Sequence, residues 1–439
     1  MSVRLILIIL FFIKAINSSA QYGKQDSNNS EIELNSIAQN YVRLALTIGQ
    51  YDPKFIDYYV GPESLKPASI KRDVFPKDSL LQTIDKLQVE LKGVITVTSE
   101  SESTNRILWM QNQLVAFKRK VLFQSGERQP YDQESVELYG VKVPGKTEDD
   151  YKKLMMHLDE LLPGSGPVVD RYQKFTNAFL IPREKIDTAM ITILKEARAR
   201  TINRVSLPPG EMLRLTYVPG GNNVCMYQGN NISNISFNDN APVQLASLFN
   251  TACHEGYPGH HANFVKLDEN LYRKRGWIEY SVFALHSRDR FIAEALGVMA
   301  VEMIFPYQEK VNYSNDVLVK LVGIKDSRLD LYFTVWDIKE QLRESLVDAA
   351  REVADGRMDK ETAMRWIHNY ALVDSSRAEL YYNGLLVGFR TSLVCYYYGA
   401  QLVRDYMLAK AGNDEKRRWE IFDWLLSNKI CPNDLKIID

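Results

Sequence analysis

The spacing of hydrophobic residues along the chain predicts a mainly helical protein. Apolar residues recur at three- and four-residue intervals, which is the period of one helix face, in the segments 32–50, 78–97, 101–124, 147–162 and 184–200. The same spacing predicts later helices near 278–305, 316–355, 360–372, 375–411 and 414–427. We therefore expect an all-α architecture with one minor sheet and no internal repeat. A boundary near residue 200 would divide a helical part, 21–200, from a second part, 201–439, within one compact body.

A different pattern occupies residues 204–238. Leu213 to Val218 alternates between apolar and polar residues, Pro219 to Asn223 is a turn cluster, and Val224 to Gln228 alternates again. Alternation on both sides of a turn is typical of a β hairpin. Such a hairpin could be a purely structural ribbon, or an edge strand that aligns an extended peptide. A helix start at Asp239 to Pro242 then predicts a helix from about 241 to His254.

The predicted helix ends in a cluster of histidines. Three of the six histidines of the chain lie in the run Cys253 to His261, CHEGYPGHH. Imidazole is a common ligand for zinc. A glutamate directly after the first histidine, here Glu255, is the arrangement by which helical zinc peptidases place a general base beside the metal. The run therefore predicts a metal site. The alternative is a histidine-rich turn that hydrogen-bonds to backbone carbonyls at a helix end.

The spacing of these histidines departs from the His-Glu-x-x-His pattern. Position i+4 from His254 is Pro258, which cannot be a ligand. On a regular helix His260 would point roughly 240° around the axis from His254, whereas His261 would lie on nearly the same face but about 10.5 Å along it. Pro258 removes a helical hydrogen bond, and Gly259 permits backbone angles closed to other residues. We therefore expect a Pro-Gly bulge that brings His260 beside His254, with His261 as the alternative ligand or as an outer neighbour of the ligands.

A later helix supplies a candidate third ligand. Small and apolar residues surround Glu294 in the segment 290–302. A buried carboxylate without a partner is costly, and catalytic zinc usually has three protein ligands. Glu294 is therefore expected to bind the metal, and the alternative is a salt bridge to Arg288 or Arg290. Glu302 lies eight residues further on roughly the same face and is expected to support the site.

The run from His254 to His261 resembles the signature HExYPGHH of a large bacterial family of metallopeptidase-like proteins, a domain family of unknown function. Members also carry a later EGWA-type helix with an acid and a YxxG segment near the C-terminus. Here Glu294 to Gly297 keeps the acid but lacks the Gly-Trp pair, and Tyr396 to Gly399 is the third element. The similarity extends from about Leu207 to the C-terminus.

The site is also similar to that of dipeptidyl-peptidase III, whose downstream helix carries a run like Ala293 to Gly297. Both resemblances imply a multi-helix, zinc-metallopeptidase-like body. They also imply that His254, His260 and Glu294 bind one Zn²⁺ and that Glu255 is the general base.

Tyr396 is the tyrosine that the family register places at the site. Zinc peptidases use a Tyr or His donor to stabilise the oxyanion of the tetrahedral intermediate. The alternative for Tyr396 to Tyr398 is an aromatic core with hydroxyls at its rim. Arg390 could bind a substrate carboxylate or pair with an acid.

The N-terminus indicates an exported protein. Arg4, the apolar run Leu5 to Ile13 and small residues up to Ala20 predict a signal peptide, 1–20, cut after Ala20. The apolar run is too short to span a bilayer, so we expect a secreted or periplasmic protein without a membrane anchor after cleavage. A net charge of −1 gives no electrostatic footprint for nucleic acid. The four cysteines are widely spaced, which indicates neither a disulfide scaffold nor a thiolate zinc site.

The sequence thus predicts a zinc-dependent peptidase. Zinc would polarise the scissile carbonyl of a peptide substrate and acidify a water, and Glu255 would take the proton of that water. The alternatives are a metal-dependent amide or ester hydrolase with another substrate, or a degenerate secreted binding protein. Substrate sequence, endo- or exo-cleavage and oligomeric state stay open.

Overall fold

Helices dominate the computed structural model, which describes residues 30–68, 71, 73–95 and 101–436. The predicted fold class, mainly α with small sheets, is confirmed. The predicted signal peptide, 1–20, lies outside the described residues.

The helices before the candidate site are α1 (30–51), α2 (Lys77–Ile95), α3 (Ser101–Gln124), α4 (Tyr131–Tyr139), α5 (Glu148–Leu161), α6 (Val168–Thr176) and α7 (Ile186–Ile202). Those that carry or follow it are α8 (Leu245–Asn250), α9 (His260–Leu267), α10 (Arg288–Ile304), α11 (Tyr307–Tyr313), α12 (Val319–Val322), α13 (Leu329–Leu342), α14 (Ser345–Ala354), α15 (Lys360–Tyr370), α16 (Ser375–Tyr381), α17 (Leu393–Ala411) and α18 (Glu415–Ser427). Wider π-type turns extend four of them, at Thr251–Gly256, Asp268–Arg273, Ser314–Leu318 and Tyr382–Phe389.

Two small sheets accompany the helices. Strands β1 (Ile56–Tyr59) and β5 (Val282–Ala284) pair antiparallel. The second sheet contains β2 (Met212–Val218), β3 (Val224–Gly229) and β4 (Ile232–Asn238) in the order β2-β4-β3.

The predicted pairing of β2 with β3 in a hairpin is wrong, because β4 lies between them. Strand β4 is parallel to β2 and antiparallel to β3. The tight turn is at Asn230 (φ 53°) and Asn231 (φ 62°), which joins β3 to β4. Positive φ at both central residues is the geometry that matches the twist of a two-residue hairpin, whereas the segment 219–223 only connects β2 to β3.

Several predicted helices are shorter than expected. The site helix begins at Leu245, not near 241, and α10 begins at Arg288 because Ser287 caps it by accepting a hydrogen bond from the Arg290 amide (3.3 Å). The predicted helix 316–355 is interrupted at Gly323, which has a φ of 78° and ends α12. A further break separates α16 from α17, where Arg390 has a φ of 41°.

Three buried clusters of the described residues hold the helices together, and each contains residues from both sides of residue 200. Helix α10 packs on α17 and on the turn that carries the first histidine. In the second cluster Arg106 of α3 donates two hydrogen bonds to Glu279 (2.5 and 2.8 Å), and both side chains are buried. These contacts fix the helices that carry the candidate site against the N-terminal helices.

Among the described residues, no single helix has the length and apolar character needed to cross a membrane. The bent pair Arg288–Ile304 and Tyr307–Val322 meets both requirements only when its two arms, which are inclined by 67°, are taken together.

Candidate metal centre

The chain breaks between the two predicted histidine ligands, as expected from Pro258 and Gly259. The turn Thr251–Gly256 ends the first helix, Tyr257 is extended and its bond to Pro258 is cis, and α9 begins at His260. The prediction of an interruption that returns His260 to His254 is confirmed. It is a break between two helices and not a bulge within one.

Gly259 is required at this break because the backbone passes very close to the preceding turn. Its N–H donates to the Cys253 carbonyl at 2.9 Å. A Cβ at position 259 would lie 2.0 Å from the carbonyl oxygen of His254 and 2.3 Å from that of Cys253. Only glycine can therefore occupy the first position before α9.

The two imidazoles meet at the carboxylate of Glu294. The ring centroids of His254 and His260 are 4.6 Å apart. Their Nε2 atoms lie 3.0 Å and 3.5 Å from the two oxygens of Glu294. One nitrogen or oxygen from each of His254, Glu255 and His260 also lies within 4.8 Å of the others, so this group can hold a metal ion.

Glu294 combines both predicted roles, since it contacts the histidines and also pairs with Arg290, one helical turn earlier. Burial alone would raise the pKa of Glu294, but the charges of Arg290 and His260 hold it well below its usual range. For His254, burial disfavours the charged ring, and the hydrogen bond to Glu294 nevertheless raises its pKa. The carboxylate is therefore ionised, as a metal ligand must be.

The side chains present fit a zinc ion. Glu294 Oε2 lies 3.0 Å from His254 Nε2, and Oε1, which also pairs with Arg290, lies 3.5 Å from His260 Nε2. Two imidazoles and one carboxylate form a donor set that catalytic zinc uses, with a further position left for water. A cation between His254, His260 and Glu294 would share this carboxylate with Arg290.

Gly297 lets α10 approach the first histidine. A Cβ at position 297 would lie 2.7 Å from both Cε1 and Nδ1 of His254 and 2.9 Å from its Nε2. The helix that carries Glu294 therefore lies directly against the imidazole. The sequence shows Gly297 only as part of a family run, and its close approach to His254 is not visible there.

Glu255 is held by the edge of the second sheet. The backbone N–H of Cys225 on β3 donates to Glu255 Oε2 at 2.8 Å. This bond leaves Oε1 available on a half-buried side chain beside the two imidazoles. An edge strand thus orients the predicted base.

His261 occupies a separate buried network. Its Nδ1 lies 2.8 Å from the Ser233 hydroxyl and its Nε2 lies 2.9 Å from Glu211 Oε2. Tyr257 and Arg198 also donate to Glu211, at 2.6 Å and 2.8 Å. Burial would raise the pKa of Glu211, but the bonds from His261, Tyr257 and Arg198 lower it to about 2. With both ring nitrogens engaged, His261 anchors the break beside the site and does not contact Glu294.

Of the three consecutive tyrosines, Tyr396 lies at the site. Its ring is nearly parallel to that of His254, with centroids 6.1 Å apart, and its hydroxyl accepts a hydrogen bond from Arg290 at 3.2 Å. Burial raises the pKa of Tyr396, which keeps its hydroxyl protonated. Tyr397 instead lies near the charge of Arg343.

Two other candidate residues make their contacts elsewhere. Glu302 pairs with Arg404 at 2.5 Å on a half-exposed surface, so its predicted support of the metal site is wrong; the helix continues past the site and its face turns outward. Arg390 pairs with Glu134 at 3.3 Å, which is the acid-pairing alternative. The four cysteines are buried and free.

Asp57 is a residue near the centre that sequence analysis missed. It lies on β1, half-buried, and burial raises its pKa to about 6, with Arg290, His260, Glu294 and Glu255 as the neighbouring charges. An acid inside the strand-forming run from Ile56 to Val60 is unusual, because aspartate is depleted in strands. That is the signal in the sequence that could have drawn attention to it.

Comparison with known proteins shows the fold and nothing finer. No family model matches the chain, and no curated protein is similar to it in sequence. A candidate lipoprotein from Colwellia psychrerythraea is similar in structure, with a TM-score of 0.53 and 13% identity over 82% of this chain and 68% of that one. A candidate lipoprotein of unknown function from Shewanella oneidensis has a TM-score of 0.47 and 14% identity over 81% and 72%. A carboxypeptidase from Deinococcus radiodurans has a TM-score of 0.41 and 10% identity over 91% of both chains. Of these three, only the Colwellia protein has a TM-score above 0.5, and at that identity the likeness concerns the fold alone.

Proposed function

We propose that this protein is a zinc-dependent peptidase. The observation that carries the proposal is the convergence of His254 and His260 on Glu294, with Glu255 beside the same imidazoles. Two imidazoles, one ligand carboxylate and one free carboxylate are the groups that metal-assisted hydrolysis needs.

His254, His260 and Glu294 would hold the ion, which when bound supplies Lewis-acid polarisation and a more acidic water. Glu255 takes a proton from the attacking water and later passes it to the leaving amine. The Cys225 amide, which donates to Glu255 Oε2 at 2.8 Å, orients the carboxylate for both transfers.

Tyr396 completes the proposed mechanism. Because Arg290 donates to the Tyr396 oxygen, the phenolic proton is free to point toward the substrate. A tyrosine in this position can donate to the oxyanion of the tetrahedral intermediate. Arg290 also keeps Glu294 ionised, so one arginine serves the ligand and the donor.

We further propose that the chain belongs with the bacterial metallopeptidase-like proteins that share HExYPGHH, and that it acts outside the cytoplasm. The run from His254 to His261, the acid at Glu294 and the position of Tyr396 support the first statement. The predicted signal peptide, 1–20, supports the second.

The alternatives are hydrolysis of a non-peptide amide or ester, or binding without turnover. A degenerate binding protein has no need of a base, whereas Glu255 is present and is held in place by Cys225. We therefore favour catalysis over binding alone.

Digestion of a peptide library tests the proposal. The zinc-loaded protein should cleave peptides, a chelator should stop cleavage, and added zinc should restore it. Glu255→Gln should keep the metal and lose roughly 10²–10⁴-fold in rate, as expected for a lost general base. Glu269→Gln, which removes a carboxylate that pairs with Lys274 at 3.3 Å, is the matched control and should keep the parent rate. A chelator-insensitive cleavage pattern, or full activity in Glu255→Gln, would reject this mechanism.

A further inference from the structure

Strand β1 carries Asp57 beside the metal centre at an irregular point of its sheet. Ile56 is opposite Ala284 and Tyr58 is opposite Phe283, so Asp57 is an extra residue between two consecutive partners. Such bulges occur next to active sites, where they redirect a side chain. The pairing of β1 with β5 therefore sets the direction of the Asp57 carboxylate separately from its neighbours.

The position of β1 is fixed by aromatic contacts to the second histidine. Tyr58 packs edge-on against Phe264, with ring centroids 5.2 Å apart. Phe264 in turn stacks on His260, with centroids 5.4 Å apart and rings inclined by only 4°. Only one aromatic side chain therefore separates the strand that bears Asp57 from a proposed metal ligand.

The same strand lies beside β3, which holds the proposed base. Strands β1 and β3 are in contact, and the Cys225 amide of β3 binds Glu255. The charges of Glu255, Glu294, His260 and Arg290 all act on Asp57. Because β1 packs through Phe264 on His260 and also contacts β3, Asp57 lies on the side of the centre where the two sheets meet.

Asp57 differs from the other acids of the centre in its direct contacts. Glu255 accepts a backbone hydrogen bond, and Glu294 pairs with Arg290. Among the described residues, no hydrogen bond or ion pair engages the Asp57 carboxylate, although the side chain is half-buried. Because its oxygens are not fully buried, a ligand that supplies a positive charge can replace the water on them.

We propose that Asp57 binds an ammonium group of the substrate. The inference rests on the proposed peptidase function and makes it more specific: the substrate carries a cationic amine close to the scissile bond. An ammonium group has three hydrogen-bond donors and no acceptor, which complements a carboxylate without partners. A C-terminal carboxylate would be repelled at the same point. The ammonium can come from the N-terminus of a peptide or from a lysine side chain.

Asp57 is assigned to the substrate and not to the metal because of its place relative to the donor atoms. The Nε2 atoms of His254 and His260 lie 3.0 Å and 3.5 Å from the oxygens of Glu294. Among the described residues, no such contact joins Asp57 to either imidazole. The substrate, which has to lie between the ion and the walls of the site, is the partner it can reach.

Peptides that differ only in charge test the proposal. One substrate is a peptide with a free N-terminus and no charged side chains, and the second is its N-acetylated form. The other two are the same pair with a lysine next to the scissile bond. Hydrogen bonds to charged groups correspond to preferences of roughly 10- to 100-fold. In one of these pairs, the parent should therefore cleave the peptide that carries the ammonium with a kcat/KM about 10- to 100-fold higher than that of its uncharged counterpart, mainly through a lower KM. The peptide pair that shows the preference identifies the source.

Asp57→Asn should reduce that preference to within about threefold, because the amide keeps the shape but lacks the charge. Asp85→Asn removes an acid of α2 that pairs with Lys118 at 2.7 Å, and should keep the parent's preference. Zinc content should equal that of the parent in both variants. An undiminished preference in Asp57→Asn, or loss of its metal, would overturn the assignment. Equal cleavage of all four peptides by the parent would also refute it and leave the peptidase proposal standing, whereas cleavage of none would reject the peptidase function itself.

Discussion

Substituting alanine for Gly297 should separate metal binding from folding. A Cβ at this position would lie 2.7 Å from two ring atoms of His254. Carbon atoms in contact are best separated by about 3.5–4.0 Å, so the imidazole would have to move by roughly 0.8 Å or more. Zinc sites tolerate deviations of only about 0.2 Å in their bond lengths. The displaced ring could not keep its bond to the ion while His260 and Glu294 stay in place.

The expected losses differ in size. Removing an outer partner of a ligand costs about 10–100-fold in metal affinity, and displacing a ligand itself should cost at least about 100-fold. Folding should suffer less. Replacing glycine by alanine inside a helix gains about 0.5–1 kcal/mol, whereas overpacking costs about 1–3 kcal/mol. The free energy of unfolding of metal-free Gly297→Ala should therefore fall by no more than about 2.5 kcal/mol.

The assay combines zinc titration with chemical denaturation of the metal-free protein. Gly93→Ala is the control, because a Cβ there would meet no atom of the described residues within 4 Å. The control should keep the parent's zinc affinity and gain about 0.5–1 kcal/mol in stability. Parent-like zinc affinity in Gly297→Ala would refute the argument that α10 positions His254 for the metal.

Three further predictions follow from the contacts of single residues. Glu294→Gln should lose zinc, whereas Glu302→Gln should keep it, as measured by elemental mass spectrometry; equal retention would assign Glu294 to its salt bridge alone. His260→Ala should lose the metal, and His261→Ala should keep it but lose about 10–100-fold in affinity or rate; the reverse result in the same assay would exchange the two histidines. Burial raises the pKa of Asp289 to about 7, so the stability contributed by the protonated acid is complete below about pH 4 and is lost as the pH rises through about 7. Asp289→Asn should flatten that decline in unfolding free energies measured from about pH 4 to about pH 8, and an unchanged profile would contradict the raised pKa.

The helical architecture could be predicted because amphipathic periodicity is a local property. Helices α2, α3 and α5 fall where the apolar spacing placed them. The breaks were missed where a single residue overrides the pattern, as Ser287 does by capping α10 and Gly323 by ending α12. Such residues act through their backbone conformation, which hydrophobic spacing does not report.

Strand pairing was less predictable than strand location. The turn cluster at 219–223 suggested a hairpin, but the chain uses Asn230 and Asn231 for its tight turn. Strand β4, which follows this turn, lies between β2 and β3 in the sheet. Pairing depends on contacts distant along the chain, and alternation alone does not choose the partner.

The candidate site likewise contains residues that the sequence could place and residues that it could not. The residues from His254 to His260 are adjacent in sequence, so their spacing and the break at Pro258 could be interpreted directly. Asp57 could not be placed, because it reaches the centre only through the pairing of β1 with β5, more than two hundred residues away. The close approach at Gly297 likewise exists only once α10 has packed against His254.

Anomalous diffraction at the zinc absorption edge, from crystals of the zinc-loaded protein, tests the central claim most directly. The proposed centre predicts one strong peak, bonded at about 2.0–2.1 Å to a nitrogen of His254 and of His260 and at about 2.0–2.2 Å to an oxygen of Glu294. Glu255 should lie beside the peak without replacing Glu294 as a ligand. An absent peak at saturating zinc, or a peak bonded to His261 in the network with Glu211, would contradict the account.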